Sequence, residues 1–162
     1  MSQISILPYS SDQKSDLLDL TLAAWTPVFD KTQHDVPKFV YDAFYPEGWA
    51  TRQEAEVGEL LDTEPENIWV AMSGDTVTGF IGLRLHPEDQ MGEIYILAVS
   101  PDHQRKGIGN GLMRFAEAHI RQNGMKMIMV ETIGDTGHAP ARRAYQNFGF
   151  VPWPVARYFK EI

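Results

Sequence analysis

The sequence predicts an α/β fold in one domain spanning residues 1–162, and three observations lead there. Seven short segments carry an apolar, β-rich or alternating pattern: 3–9, 67–73, 77–85, 92–100, 125–133, 150–153 and 155–160. Longer stretches with helical apolar spacing lie between several of them. One strand-like run, Leu97-Ala98-Val99, stops at Pro101 and enters a helix through a polar, glycine-spaced loop. A chain of this length buries roughly 70% of its unfolded surface, enough for a core without staples. No internal repeat, low-complexity tract or linker interrupts it.

Ile4, Ile6 and Tyr9 mark the first strand. Ser10, Ser11 and Asp12 are N-cap candidates for a helix carrying Leu17, Leu18, Thr21, Leu22 and Trp25. Pro27 is expected to end that helix or break it, because proline lacks the N–H and clashes with the preceding turn. Val36, Phe39, Val40, Ala43 and Phe44 give a second helical pattern within 30–45, punctuated by Pro46 and Gly48. A third helix is expected over 49–62. Its acidic run from Glu54 to Glu66 reads as a solvated face, or else as an electrostatic lure for a polycationic amine.

Gly74-Asp75 joins two strands as a hairpin, and a turn near 87–91 leads into strand 92–100. Helix 107–122 presents Ile108, Leu112, Phe115, Ala116 and Ile120 on one face and stops at Gly124. The nearly unbroken apolar run 125–133 suits a buried strand. A last helix, 138–148, ends at Gly149, and two final strands meet at Pro154.

The glycine loop carries the chemistry. The first N–H groups of a helix lack internal acceptors, and the helix dipole adds about half a positive charge there. Gly107 and Gly109 have no Cβ to hold a ligand away from the backbone. His103, Arg105, Lys106 and Arg114 add positive charge within a chain of net charge -8. A phosphate-bearing ligand suits such a loop. A nucleotide P-loop would need Gly-x-x-x-x-Gly-Lys-Ser/Thr, which is absent. A dinucleotide site would need its glycines directly after the strand and a small residue at 112, where Leu112 stands.

The bulk properties narrow the classes. A pI near 5.0 opposes a general nucleic-acid role and tolerates a cationic acceptor. The chain has no cysteine, so disulfides, thiolate metal sites and an acyl-cysteine intermediate are excluded. The five histidines lack metal-ligand spacing, and no metal is expected. No apolar run approaches the roughly 20 residues of a membrane span, so no membrane partner is expected. Met1-Ser2-Gln3-Ile4-Ser5 lacks signal-peptide character, and the expected location is cytoplasmic.

Gln104-Arg105-Lys106-Gly107-Ile108-Gly109 resembles the Gln/Arg-x-x-Gly-x-Gly/Ala motif of the GNAT acetyltransferase superfamily. Residues 93–101 resemble that family's fourth strand, and His138 to Phe150 is similar to its second motif, Asn-x-x-Ala-x-x-x-Tyr followed by Gly-Phe. The match is clear over roughly 67–153, and His138 departs from the motif's usual Asn. The resemblance implies a mixed, mostly antiparallel central sheet of about seven strands flanked by helices, with a splayed strand pair binding the coenzyme. It implies acetyl-CoA as cosubstrate. Leu97, Ala98 and Val99 would bond the pantetheine arm, and a backbone N–H near Val99 would serve as oxyanion donor. Gln104, Arg105, Lys106, Gly107, Ile108, Gly109 and Asn110 would hold the pyrophosphate, with His138, Ala141 and Arg142 as further coenzyme contacts.

By the same resemblance Tyr145 would be the general acid for the leaving thiolate. Glu131 is the first candidate base, with Glu93 and Asp135 behind it. Trp25, Phe29 and Tyr158 would line the acceptor side, where aromatics and acids suit a cationic amine. The expected function is therefore N-acetyl transfer from acetyl-CoA directly to an amine, with a small molecule as acceptor. A protein N-terminus or lysine is the alternative acceptor, and a noncatalytic acyl-CoA sensor is the alternative class. The last strand is a candidate for pairing across a two-fold axis into a homodimer.

Overall fold

The computed structural model describes residues 4–162. Five strands form one mixed sheet in the order β1-β2-β3-β4-β5: Ile4–Pro8, Ile68–Ser73, Thr76–His86, Met91–Val99 and Met127–Val130. The first four are antiparallel neighbours, and β5 runs parallel to β4. Five helices accompany them: α1 Lys14–Asp35, α2 Lys38–Phe44, α3 Trp49–Thr63, α4 Ile108–Gln122 and α5 Ala139–Phe148. The expected first strand began at Gln3, which lies outside the described residues.

The chain forms two compact units: Met1–Ala24 with Gln53–Glu131, and Trp25–Arg52 with Thr132–Ile162. The first holds the whole sheet. Its core joins Leu17 of α1, Val57 and Leu61 of α3, Ile68, Val70, Phe80, Ile81 and Ile94 of the sheet, and Leu112, Met113 and Ala116 of α4. Two glycines let α4 approach closely. A Cβ on Gly92 would stand 2.4 Å from Ile120, and one on Gly79 would stand 3.3 Å from both Ile108 and Leu112. The acidic face of α3 is solvated; Asp62 bonds Lys14 at 2.7 Å, and just beyond α3 Glu64 bonds Arg84 at 2.7 Å.

Three expectations need correction. The sheet has five strands rather than about seven, because 150–153 and 155–160 form none. Pro152 and Pro154 remove two alternate N–H donors, both from the same edge of any strand formed there. Without it the final segment lacks a hairpin partner, and isolated strands are not stable. Trp153, Val155 and Tyr158 are accordingly exposed. The second correction concerns Pro27, which sits inside the 22-residue α1 rather than ending it. The carbonyl its missing N–H would have bonded belongs to Ala23, an exposed residue, so water can satisfy it. The second helical pattern divides instead at Pro37, which caps α2.

Candidate functional site

In the first unit, β4 is paired along both edges only in its first half. Its pairing with β5 runs from Met91↔Met127 to Ile94↔Val130, while its pairing with β3 continues to Val99↔Gly79. Tyr95–Val99 therefore keeps one edge without a strand neighbour. The direction of its peptide groups follows from one bond. Ser100 N–H donates to Thr78 O at 2.9 Å, so Ser100 faces β3. Peptide groups alternate along a strand, which turns those of Leu97 and Val99 to the open edge. Gln104 Nε2 donates to Val99 O at 3.2 Å, which agrees with that direction and engages the side chain expected on the pyrophosphate. The Leu97 N–H and C=O and the Val99 N–H remain on the edge.

The edge leads into the glycine loop. A 3-10 turn covers Pro101–His103, and Lys106 Nζ folds back to Asp102 O at 2.8 Å. Arg105 and Gly107 both take left-handed backbone, with φ of 61° and 83°. For Arg105 that costs on the order of 1 kcal/mol, a strain the loop sustains. Gly107 caps α4, and the first backbone bond of that turn is Gly111 N–H to Gly107 O at 2.9 Å. The N–H groups of Ile108, Gly109 and Asn110 precede it and lack helical acceptors. A Cβ on Gly107 would meet nothing within 4 Å, so the backbone is open beside that residue.

The carboxylates proposed as base have different fates. Glu131 follows the end of β5, exposed, with no hydrogen bond or ion pair among the described residues. Glu93 bonds His86 Nε2 at 2.7 Å.

In the second unit, α5 carries Tyr145, Ala141 and Arg142, with His138 as its N-cap. Burial pushes the Tyr145 phenol above its ordinary value, so it is protonated at neutral pH and able to donate. Its ring packs edge-to-face on Phe150 at 5.9 Å. His138 Nδ1 lies 2.5 Å from Asp135 Oδ1, which also accepts the His138 backbone N–H at 3.0 Å. Asp135 Oδ2 accepts the Thr32 hydroxyl of α1. Arg142 Nη1 donates to Ile133 O and Asp135 O, both at 2.6 Å. Asp35 accepts both the backbone N–H and the hydroxyl of Thr136, and a Cβ on Gly137 would stand 2.4 Å from Val28 O. Loop 133–138 is thus fastened to α1 and α5. The sequence pointed to His138 and Asp135 separately; the Asp-x-x-His spacing was a usable signal, whereas Thr32, 103 positions from Asp135, left none.

The three acceptor-side candidates are dispersed in kind. Phe29 is 4% exposed, stacked on Trp49 at 4.6 Å and edge-on to Tyr45 at 5.3 Å. Trp25 is half-buried, and Tyr158 is 91% exposed. Neighbouring Phe159 touches the edge of Phe44 at 5.9 Å. Among the described residues no helix is long and apolar enough to cross a membrane.

A sequence profile described as the acetyltransferase (GNAT) family matches residues 35–150. A mycothiol acetyltransferase of Saccharopolyspora erythraea is 32% identical over 114 residues, which is 68% of this chain and 37% of that protein. The chain spans about a third of the length of the curated relatives it matches. A putative GNAT acetyltransferase from Desulfovibrio desulfuricans superposes with a TM-score of 0.66 at 20% identity, over 94% of this chain and 87% of that one. The aminoglycoside N-acetyltransferase AAC(6')-Iy, solved with CoA, gives 0.65 at 13% identity over 99% and 96%. At those identities the two structures show a shared fold.

Proposed function

From the premise that the chain belongs to the acetyltransferase (GNAT) family, we propose that it is an acetyl-CoA-dependent N-acetyltransferase acting on a small-molecule amine. The open half-edge of β4, continuous with a helix start whose N–H groups are free, carries the reading. The coenzyme's pantetheine amides would extend the sheet along Leu97 and Val99 as an added strand. Its pyrophosphate would be gripped by the N–H groups of Ile108, Gly109 and Asn110, with Arg105 and Lys106 supplying field. The Val99 N–H is the proposed oxyanion donor, and loss of such a donor typically costs about 10²–10³ in rate.

Direct transfer needs an amine that attacks the thioester carbon and an acid for the departing sulfur. Tyr145, protonated and half-buried, is the proposed acid. Residues 1–162 are read as one functional domain containing both units. A small-molecule acceptor is supported by the names of the relatives, a mycothiol acetyltransferase and an aminoglycoside acetyltransferase. Trp25 and Tyr158, surfaces with aromatic area to offer, are its proposed contacts, and Phe29 backs the wall from the core. The net charge of -8 favours approach of a cationic amine.

The test is thiol release from acetyl-CoA by purified protein across polyamines, aminoglycosides, amino sugars, amino acids and short peptides. Release dependent on a small amine is the expected result. Release with peptides alone assigns a protein acceptor, and acetyl-CoA binding without release to any amine overturns the enzyme in favour of a sensor.

A further inference from the structure

The acceptor amine of such a reaction is protonated at neutral pH and must lose a proton before its nitrogen attacks. Of the candidate groups, Glu93 is tied to His86 on the sheet, and the Asp135–His138 pair is held at the head of α5. Asp135 is 3% exposed at its side chain and His138 14%. Burial raises the Asp135 carboxyl, but hydrogen bonds from Thr32 and His138 outweigh it and hold it below the usual carboxylate range. An ionised carboxylate only accepts hydrogen bonds. The three donors to Asp135 are the Thr32 hydroxyl, the His138 backbone N–H and His138 Nδ1–H. With Nδ1 carrying the proton, a neutral His138 has its lone pair on Nε2, and among the described residues the ring's hydrogen bond is the one from Nδ1 to Asp135.

The other charged groups tied to this loop are Asp35 at the end of α1, which feels both Asp135 and His34, and Arg142 on α5. Asp35 is engaged by Thr136, and Arg142 by the carbonyls of Ile133 and Asp135. Neither competes for Nε2. Glu131, by contrast, is an exposed carboxylate with nothing to orient it.

We infer that His138 Nε2 is the proton acceptor for the attacking amine, and that Asp135, fixed by Thr32, is its positioning residue. The inference rests on the acetyltransferase reading, in which Tyr145 meets the coenzyme sulfur. His138 caps α5, and Tyr145 stands seven residues further along the chain within it. That separation puts them on one helix face, roughly 10 Å apart along the axis. A helical tyrosine leans toward the N-terminus, the end of α5 at which His138 stands.

The ammonium gives a proton to Nε2, and the freed nitrogen lone pair forms the C–N bond. As the tetrahedral intermediate collapses, the C–S bond breaks and the sulfur takes the Tyr145 proton. The tyrosinate is reprotonated from the nitrogen, which loses its second proton. His138 returns its proton to water, so one amide, one thiol and one proton leave the site.

His138→Ala, His138→Gln, Asp135→Asn and Glu131→Gln would be compared for kcat, acetyl-CoA affinity and rescue by added imidazole. The expected result is a kcat loss of about 100-fold in His138→Ala, acetyl-CoA affinity within about threefold of wild type, and recovery that rises with imidazole concentration. Should the alanine variant misfold, His138→Gln keeps a donor for Asp135 and should show the same kcat loss with affinity intact. Asp135→Asn should lose about 10-fold in kcat and move the His138 proton off Nδ1 in 15N spectra. Wild-type kcat in His138→Ala, a loss confined to acetyl-CoA affinity, or the kcat loss appearing in Glu131→Gln instead would each overturn the inference while leaving the acetyltransferase reading standing. A wild type that releases no thiol with any amine fails the reading itself.

Discussion

Placing a side chain on Gly109 separates coenzyme recognition from folding at one position. Gly109 is the second residue of α4, and a Cβ built there meets only Val99 Cγ2, at 3.8 Å, an ordinary contact. The protein therefore has room for the substitution. Replacing glycine by alanine in a helix favours folding by up to about 1 kcal/mol, and valine by less. The ligand has no such room, because γ-methyl groups at 109 would cover the N–H groups of Ile108 to Asn110. A hydrogen bond to a charged group is worth about 1.5–3 kcal/mol. Losing one displaced phosphate contact should weaken CoA binding by roughly 10- to 150-fold. Calorimetric titration of Gly109→Ala and Gly109→Val with CoA, beside thermal melts, makes the measurement. The expected order of affinity is wild type, alanine, valine, with melting temperatures at or above wild type. Acetyl-pantetheine, which lacks the pyrophosphate, should bind all three alike. Valine-variant affinity within twofold of wild type would refute the loop assignment. A lower melting temperature accompanying the affinity loss would refute the claim that the helix start is covered rather than disrupted.

Tyr145→Phe should leave acetyl-CoA affinity nearly unchanged and lower turnover about 10-fold or more, read by titration and thiol release. Gly107→Ala should cost about 1 kcal/mol of stability from its φ of 83° although no atom lies within 4 Å, measured by denaturant unfolding. The Glu64 carboxyl is held low chiefly by its Arg84 hydrogen bond. A depressed folded pKa contributes stability above the unfolded value, lost as pH falls through the folded one; Glu64→Gln should therefore flatten the fall in melting temperature below about pH 4. His86 is raised, chiefly by its hydrogen bond to Glu93, so its contribution is present below about pH 6.5 and is lost as pH rises through the folded value. Glu93→Gln should shrink the difference in melting temperature between about pH 5.5 and pH 8.

What the sequence determined by itself was local. Gly107, Gly124 and Gly149 sit at helix ends with left-handed backbone, as their spacing from the apolar patterns required. The strand-to-loop-to-helix passage from Leu97 to Gly111 is legible because each step depends on neighbours within a few residues. The Tyr145 helix is legible for the same reason. The tertiary structure decided what depends on partners distant in the chain. Pro27 was survivable because Ala23 lies exposed; Pro152 and Pro154 removed donors from the first of the final segments, which left the second without a hairpin partner. The usable edge of β4 exists because β5 pairs with only four of its residues, a matter of register between segments more than thirty positions apart. His138 offers Nε2 because Asp135 holds Nδ1 and Thr32 of α1 holds Asp135. A propensity acts through adjacent backbone and can be read along the chain; the direction of a lone pair is set by whichever group the fold brings beside it.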